Sequence, residues 1–175
     1  MKKITEAGFV KKDISEVGKD FDVFAKIGSE WMLVSAGTPD KFNTMTASWG
    51  FAGIMWNKPC ALTVIRPQRY TKQFIDSNEF FTLSFFPDDY KKALGICGSK
   101  SGRDCDKVSE AGLTPMSAEE SMSFEEASLV LVCRKLYAGE LRESDFIEKV
   151  IIPQQYSTGD FHTAYIGEIV AAYTK

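Results

Sequence analysis

Residues 42–50 read F-N-T-M-T-A-S-W-G. From Thr44 to Trp49 polar and apolar side chains alternate strictly, and period two predicts a half-buried strand over 43–49. Thr44, Thr46 and Ser48 share one face, and Met45, Ala47 and Trp49 the other. The polar face carries hydroxyls and no charge, with Asn43 just ahead of it. Alternate strand residues stand roughly 6.6–6.8 Å apart, so these hydroxyls form a row able to bond a long, oxygen-rich ligand. A solvated Thr/Ser face on an ordinary strand is the alternative. Trp49 and Gly50 close the stretch with a flat ring and a flexible joint.

Working outward, 31–36 is apolar and β-prone and ends in the turn cluster Gly37-Thr38-Pro39-Asp40, which predicts a hairpin with 43–49. Residues 50–58 read as a connection. The continuous apolar run 60–65 predicts a strand buried on both faces, stopped by Arg66-Pro67-Gln68-Arg69. Thr71 is placed to cap a short helix running to about 77. A strand follows over 80–86, then a helix from Pro87-Asp88-Asp89 to about 97, a polar loop over 98–103 and a short helix near 106–111. Residues 114–123 read as loop, and 127–137 and 164–173 as strands. The first 23 residues form a charged N-terminal arm. Strands dominate and helices are inserted between them, so the pattern is mainly β, a β-barrel with inserted helices rather than a doubly wound sheet. The 175 residues suit a single domain, 1–175.

Composition excludes several classes. A formal net charge of −3 argues against a nucleic-acid binder with a broad basic surface. No uncharged run is long enough to span a bilayer, so no membrane association is expected, and no signal-peptide pattern opens the chain. The cysteines are Cys60, Cys97, Cys105 and Cys133, without a C-x-x-C, and the sole histidine is His162. That pattern predicts no metal site. It fits four free thiols in a cytoplasmic protein; two disulfides in a secreted one is the alternative.

Two further stretches carry polar groups that a scaffold does not need. Arg66 to Thr71, R-P-Q-R-Y-T, joins the end of a strand to the start of a helix. Helix N-termini favour phosphate and arginine adds a bidentate fork, although surface charges beside a cap would look the same. Cys97 to Lys107, C-G-S-K-S-G-R-D-C-D-K, is rich in glycine and serine. It fails the Walker pattern, and no G-x-G-x-x-G occurs anywhere. His162 can hydrogen-bond a ligand or move a proton, or be a satisfied structural residue. Cys97 and Cys105 flank the loop, with nothing in the sequence to mark a reactive thiol. Together the three stretches describe a ligand with an anionic end, a hydroxylated middle and a flat ring. Flavin mononucleotide (FMN) has that shape.

In this order, N-T-M-T-A-S-W-G, R-P-Q-R-Y-T and C-G-S-K-S-G-R-D-C-D-K resemble the flavin reductase-like, FMN-binding split-barrel family, its flavoredoxin-like branch most closely, over about 24–172. The resemblance implies a split β-barrel and a homodimer with FMN near the subunit interface. It implies FMN contacts from Asn43, Met45, Thr46, Ala47, Ser48 and Trp49, including backbone groups. Arg66, Tyr70 and Thr71 would reach the phosphate or ribityl chain. The segment Cys97, Gly98, Ser99, Lys100 and Ser101 would close over the cofactor, and His162 would approach the ring. The implied activity is electron transfer from NAD(P)H through FMN to a flavin, a small molecule or a redox partner protein. A non-catalytic FMN-binding electron carrier of flavoredoxin type is the alternative. No residue is assigned as a catalytic acid or base, with His162 the one candidate. Residues 143–160 depart from the family pattern.

Overall fold

The computed structural model describes residues 1–175. The N-terminal arm forms β1 (Val10–Lys12) and α1 (Ile14–Asp20), the latter capped by Asp13, whose carboxylate accepts from the Ser15 N–H. A π-helical segment, Phe24–Glu30, leads into β2 (Met32–Thr38) and β3 (Lys41–Ala47), which pair antiparallel as the alternation predicts. Gly37 is required where it stands: its φ is +119°, and an added Cβ would lie 2.4 Å from the Lys41 carbonyl oxygen.

The expected connection at 50–58 is instead a hairpin of β4 (Gly50–Met55) and β5 (Lys58–Ile65). Its two-residue turn is Trp56-Asn57, both with positive φ, as a type I′ turn demands. The strand was hidden because Phe51, Ile54 and Met55 are exposed apolar residues, so no polar alternation marks it. Next come α2 (Thr71–Ser77), β6 (Phe80–Phe85), a 3₁₀ turn at Asp88–Tyr90, α3 (Lys91–Ser99) and α4 (Lys107–Glu110). Thr71 does not cap α2. Tyr70 is already helical, and the Thr71 hydroxyl accepts from Asn43 Nδ2 at 2.8 Å.

The expected loop at 114–123 is a second hairpin, β7 (Pro115–Ala118) with β8 (Ser121–Phe124). Its turn, Glu119-Glu120, lacks the usual glycine or asparagine, although Glu119 has a positive φ. Long strands β9 (Leu129–Glu140) and β10 (Thr163–Thr174) follow, separated by a 3₁₀ turn and the short α5 (Ile151–Gln155).

The main sheet is antiparallel with strand order β3-β2-β6-β9-β10-β5-β4, and β1 adds to β10. Strands β3 and β4 are therefore opposite edges of the sheet, yet only Ser48 and Trp49 separate them in the chain. Three residue steps reach at most about 11 Å, so the sheet must curl until its edges nearly meet. They do not hydrogen-bond to each other. The result is a barrel with an open seam, a split barrel.

Both faces of its central strands are buried. Inside lie Val34, Met45, Ile65, Phe81, Leu83 and Tyr165; outside, α3 and the β7–β8 hairpin cover Leu33, Val130 and Val132. Hydroxyls on the covered outer face find one another, as Ser84 Oγ does with Ser123 Oγ at 2.8 Å.

Candidate functional site

The seam opens into a cavity of about 310 Å³, within the range of small-molecule sites. The end of β3 and the seam residues form one side, from Met45 through Thr46, Ala47 and Ser48 to Trp49. Val64, Arg66 and Arg69 face them from the end of β5 and the turn after it. Gly98 enters from α3, and His162 from the residue before β10. Segments far apart in sequence thus converge, because β3 and β5 lie near the two edges that the curl brings together.

The hydroxyl row is only partly available. Thr44 is fully buried, and Ser35 Oγ donates to its Oγ1 at 2.8 Å, so it faces no ligand. Thr46 Oγ1 donates to the Leu94 carbonyl at 2.5 Å, which draws α3 onto β3. An added Cβ on Gly98 would sit 3.2 Å from Thr46, so glycine permits that approach. Ser48 lines the cavity and is the hydroxyl of the row with no bond inside the chain.

The cations also separate by role. Arg66 is committed: its Nη1 meets Asp160 Oδ2 at 2.5 Å, its Nη2 donates to the Gln155 carbonyl at 2.8 Å, and its guanidinium lies 5.1 Å from the Tyr156 ring centroid. Bonds from Gln68 and Arg66 hold the Asp160 carboxyl below the usual carboxylate range. Lys100 is exposed, pairs with Glu110 and does not line the cavity. Arg69 has no carboxylate partner; its Nη1 donates to the Gly98 carbonyl at 2.8 Å, and burial lowers its pKa.

Lys107 is 4% exposed and donates to the carbonyls of Cys97 (3.0 Å) and Lys100 (3.1 Å). Burial takes its pKa down to about 8. Arg69 and Lys107 both serve carbonyls at the C-terminal end of α3, where positive charge complements the helix dipole.

Of the residues expected at the site, Tyr70, Thr71, Cys97, Ser99, Lys100 and Ser101 do not line this cavity. Asn43 lies instead on a neighbouring cavity of about 770 Å³ that Gly102, Arg103 and Lys107 also border. Burial pushes the Cys97 thiol up to about 11, and burial and Glu110 raise that of Cys105. Neither is an activated thiolate. No group of three or more His, Cys, Asp or Glu side chains is arranged to hold a metal ion.

Sequence reasoning left Arg69 as one charge in a motif, and it missed Val64, Tyr156 and Asp160. Asp160 precedes His162 by two residues in a segment without periodicity, so proximity to the histidine was its only signal.

His162 is 7% exposed, with Nδ1 and the Tyr156 hydroxyl 2.9 Å apart and the Trp49 ring centroid 5.2 Å away. Burial, reinforced by Arg66, pushes its pKa down to about 4. The unfolded value is near 6.5, so between these values the unfolded chain binds the proton more readily. The neutral imidazole therefore contributes stability that is fully present above about pH 6.5 and lost as pH falls toward about 4. The loss should be on the order of 2 kcal/mol. Urea midpoints at a series of pH values should show it, and His162→Gln should flatten the slope in this window. An unchanged slope in the variant would assign the acid sensitivity to carboxylates.

A family model described as "Flavin reductase like domain" matches residues 24–175. Solved structures share the fold. One is an FMN-binding domain of a flavin reductases-like enzyme from Shewanella baltica, at 18% identity over 95% of this chain and 76% of that one, with a TM-score of 0.68. Another is a flavoredoxin from Methanosarcina acetivorans, at 24% identity over 83% and 68%, TM-score 0.64. A third is the flavoredoxin of Desulfovibrio vulgaris (Miyazaki F), at 22% identity over 95% and 77%, TM-score 0.65. No curated protein sequence matches the chain. No helix is long and apolar enough to cross a membrane. With its split barrel and a family match over most of its length, the chain belongs to the flavin reductase-like domain family.

Proposed function

We propose that the chain binds FMN in the seam cavity and passes electrons from NAD(P)H through it to a flavin, a small molecule or a protein acceptor. One observation carries this reading. An aromatic ring (Trp49), a cation with no counter-charge (Arg69) and a free hydroxyl (Ser48) meet in one cavity beside the backbone of β3. That donor set fits a phosphorylated, hydroxylated chain ending in a flat ring.

Bound FMN would supply the hydride and electron chemistry. The protein's own groups orient and tune. Arg69 would neutralise the phosphate with its remaining N–H donors. Ser48 and the Met45–Trp49 backbone would follow the chain and ring edge. Trp49, 43% exposed, would flank the ring at the cavity mouth. His162 stays neutral at physiological pH and so holds a proton as a donor, not as an acid.

The same reading includes a homodimer. A groove of about 690 Å³, lined by Phe24, Phe51 and Leu62 among others, shares Trp49 and Val64 with the cavity. Phe24 is 85% exposed and Phe51 71%, beside the unpaired edge of β4. A second copy seated there would bury these side chains and wall the cavity from outside. Four free cysteines fit a cytoplasmic location.

The exposure of Trp49 at the cavity mouth also favours a second reading, an electron carrier of flavoredoxin type that exchanges electrons with a partner protein. The test is a visible absorption spectrum of the purified protein after FMN is added and the excess removed, followed by NADH and NADPH oxidation assays and light scattering. Retained flavin, steady turnover and twice the chain mass are expected. Flavin retained without turnover would select the carrier, and no retained flavin would sink both.

A further inference from the structure

The segment between β9 and β10 delivers one side chain to the site from behind. Tyr156 is 5% exposed. Its ring stacks on Phe161 (centroids 4.8 Å), meets Phe146 edge-on (5.6 Å) and lies under the Arg66 guanidinium. Arg66 holds both flanks of the tyrosine, through the Gln155 carbonyl and Asp160. The hydroxyl so fixed has one partner, His162 Nδ1, at 2.9 Å.

The direction of that bond follows from accounting for the hydrogens. If Nδ1 carried the imidazole proton, the tyrosine oxygen would accept it, and the buried O–H would have no acceptor. If the tyrosine donates, every buried hydrogen is placed, and the imidazole proton sits on Nε2. His162 lines the seam cavity, whereas Tyr156 does not line it and borders the adjoining groove. The ring edge away from Nδ1 therefore faces the cavity.

We propose that Tyr156 is a positioning residue: it fixes His162 as the Nε2–H tautomer and aims that N–H into the seam cavity as a neutral hydrogen-bond donor to the bound flavin. The tautomer follows from the fold alone, and the donor's target rests on the FMN reading. The titratable groups facing the imidazole are Arg66, Asp160 and Tyr156. Asp160 is held below the usual carboxylate range and stays charged through neutral pH, so it does not switch the tautomer there.

His162 is the only histidine, so long-range ¹H–¹⁵N spectra of uniformly labelled protein contain one imidazole pattern. At neutral pH the wild type should show a protonated Nε2 and a bare Nδ1. Tyr156→Phe should give a mixture of tautomers and an imidazole that titrates at higher pH. Adding FMN should shift the wild-type Nε2 resonance and slow exchange of its proton.

A wild-type Nδ1–H tautomer overturns the proposal without recourse to any variant, as does a Tyr156→Phe spectrum identical to wild type. FMN that binds without moving Nε2 overturns the donor's aim. If FMN fails to bind, the cofactor reading and the donor's target fall together, while the tautomer in the unliganded protein still decides the role of Tyr156.

Discussion

Arg69→Ala should weaken FMN binding by about 30- to 150-fold, the equivalent of about 2–3 kcal/mol for one lost charge-assisted contact. Arg69 lines the cavity, lacks a carboxylate and gives one N–H to the Gly98 carbonyl. Its other donors are free to form a fork toward an anion. Arg66→Ala should act mainly through the 155–160 segment it pins, because its guanidinium is committed to Asp160 and Gln155. Lys100→Ala should leave affinity within about twofold, as expected for an exposed side chain in a surface ion pair. Arg69→Lys should fall between, since it keeps the charge and loses the fork. Quenching of flavin fluorescence on titration reads all four variants. If Arg69→Ala binds FMN like wild type, the phosphate lies elsewhere, with the second cavity beside Lys107 the next place to test.

Phe81→Ala should destabilise the fold by about 3–5 kcal/mol, the usual cost of removing a buried aromatic ring. Phe81 is fully buried and belongs to the inner core with Met45, Ile65 and Tyr165. Its neighbour on β10 is Gly167, where an added Cβ would come within 2.7 Å of the ring. The register of β9 against β10 shifts between Ile166 and Gly167, and the missing side chain at the glycine leaves the gap that the ring fills. Little can collapse into that gap, because a regular strand has no side chain to offer at a glycine. For a chain of this size the melting temperature should drop on the order of 10 °C, measured by circular dichroism. A loss below about 1 kcal/mol would show that the neighbouring strands close over the cavity.

The legible parts of this chain were those where one period ran without interruption. Thr44 to Trp49 alternated, 60–65 was an almost wholly apolar run, and 80–86 was rich in phenylalanine, so β3, β5 and β6 could be placed within a few residues. The N-T-M-T-A-S-W-G stretch likewise led to one side of the cavity. Strand β4 was not legible because Phe51, Ile54 and Met55 are exposed, and hydrophobic patterning assumes that exposed positions are polar. The β7–β8 hairpin was missed because its turn is made of two glutamates. Partner choice was harder still. Nothing local distinguishes Arg66 from Arg69, and only the fold reveals that Asp160, 94 positions beyond Arg66, claims the first and leaves the second free. Tyr156 was invisible for the same reason.

Strands β3 and β4, only two residues apart in the chain, stand at opposite ends of the sheet, and the cavity lies where those ends nearly touch. A molecule held there would grip the end of β3 on one side and the turn after β5 on the other. It would act as a clasp on an unbuttoned cylinder. Opening the seam means releasing the clasp, so any ligand that binds only the closed form must stabilise that closure by its own binding free energy. Without it, the edge carrying Trp49 and Phe51 has no ladder partner, and the first local excursions of the fold should start there rather than in the doubly covered strands.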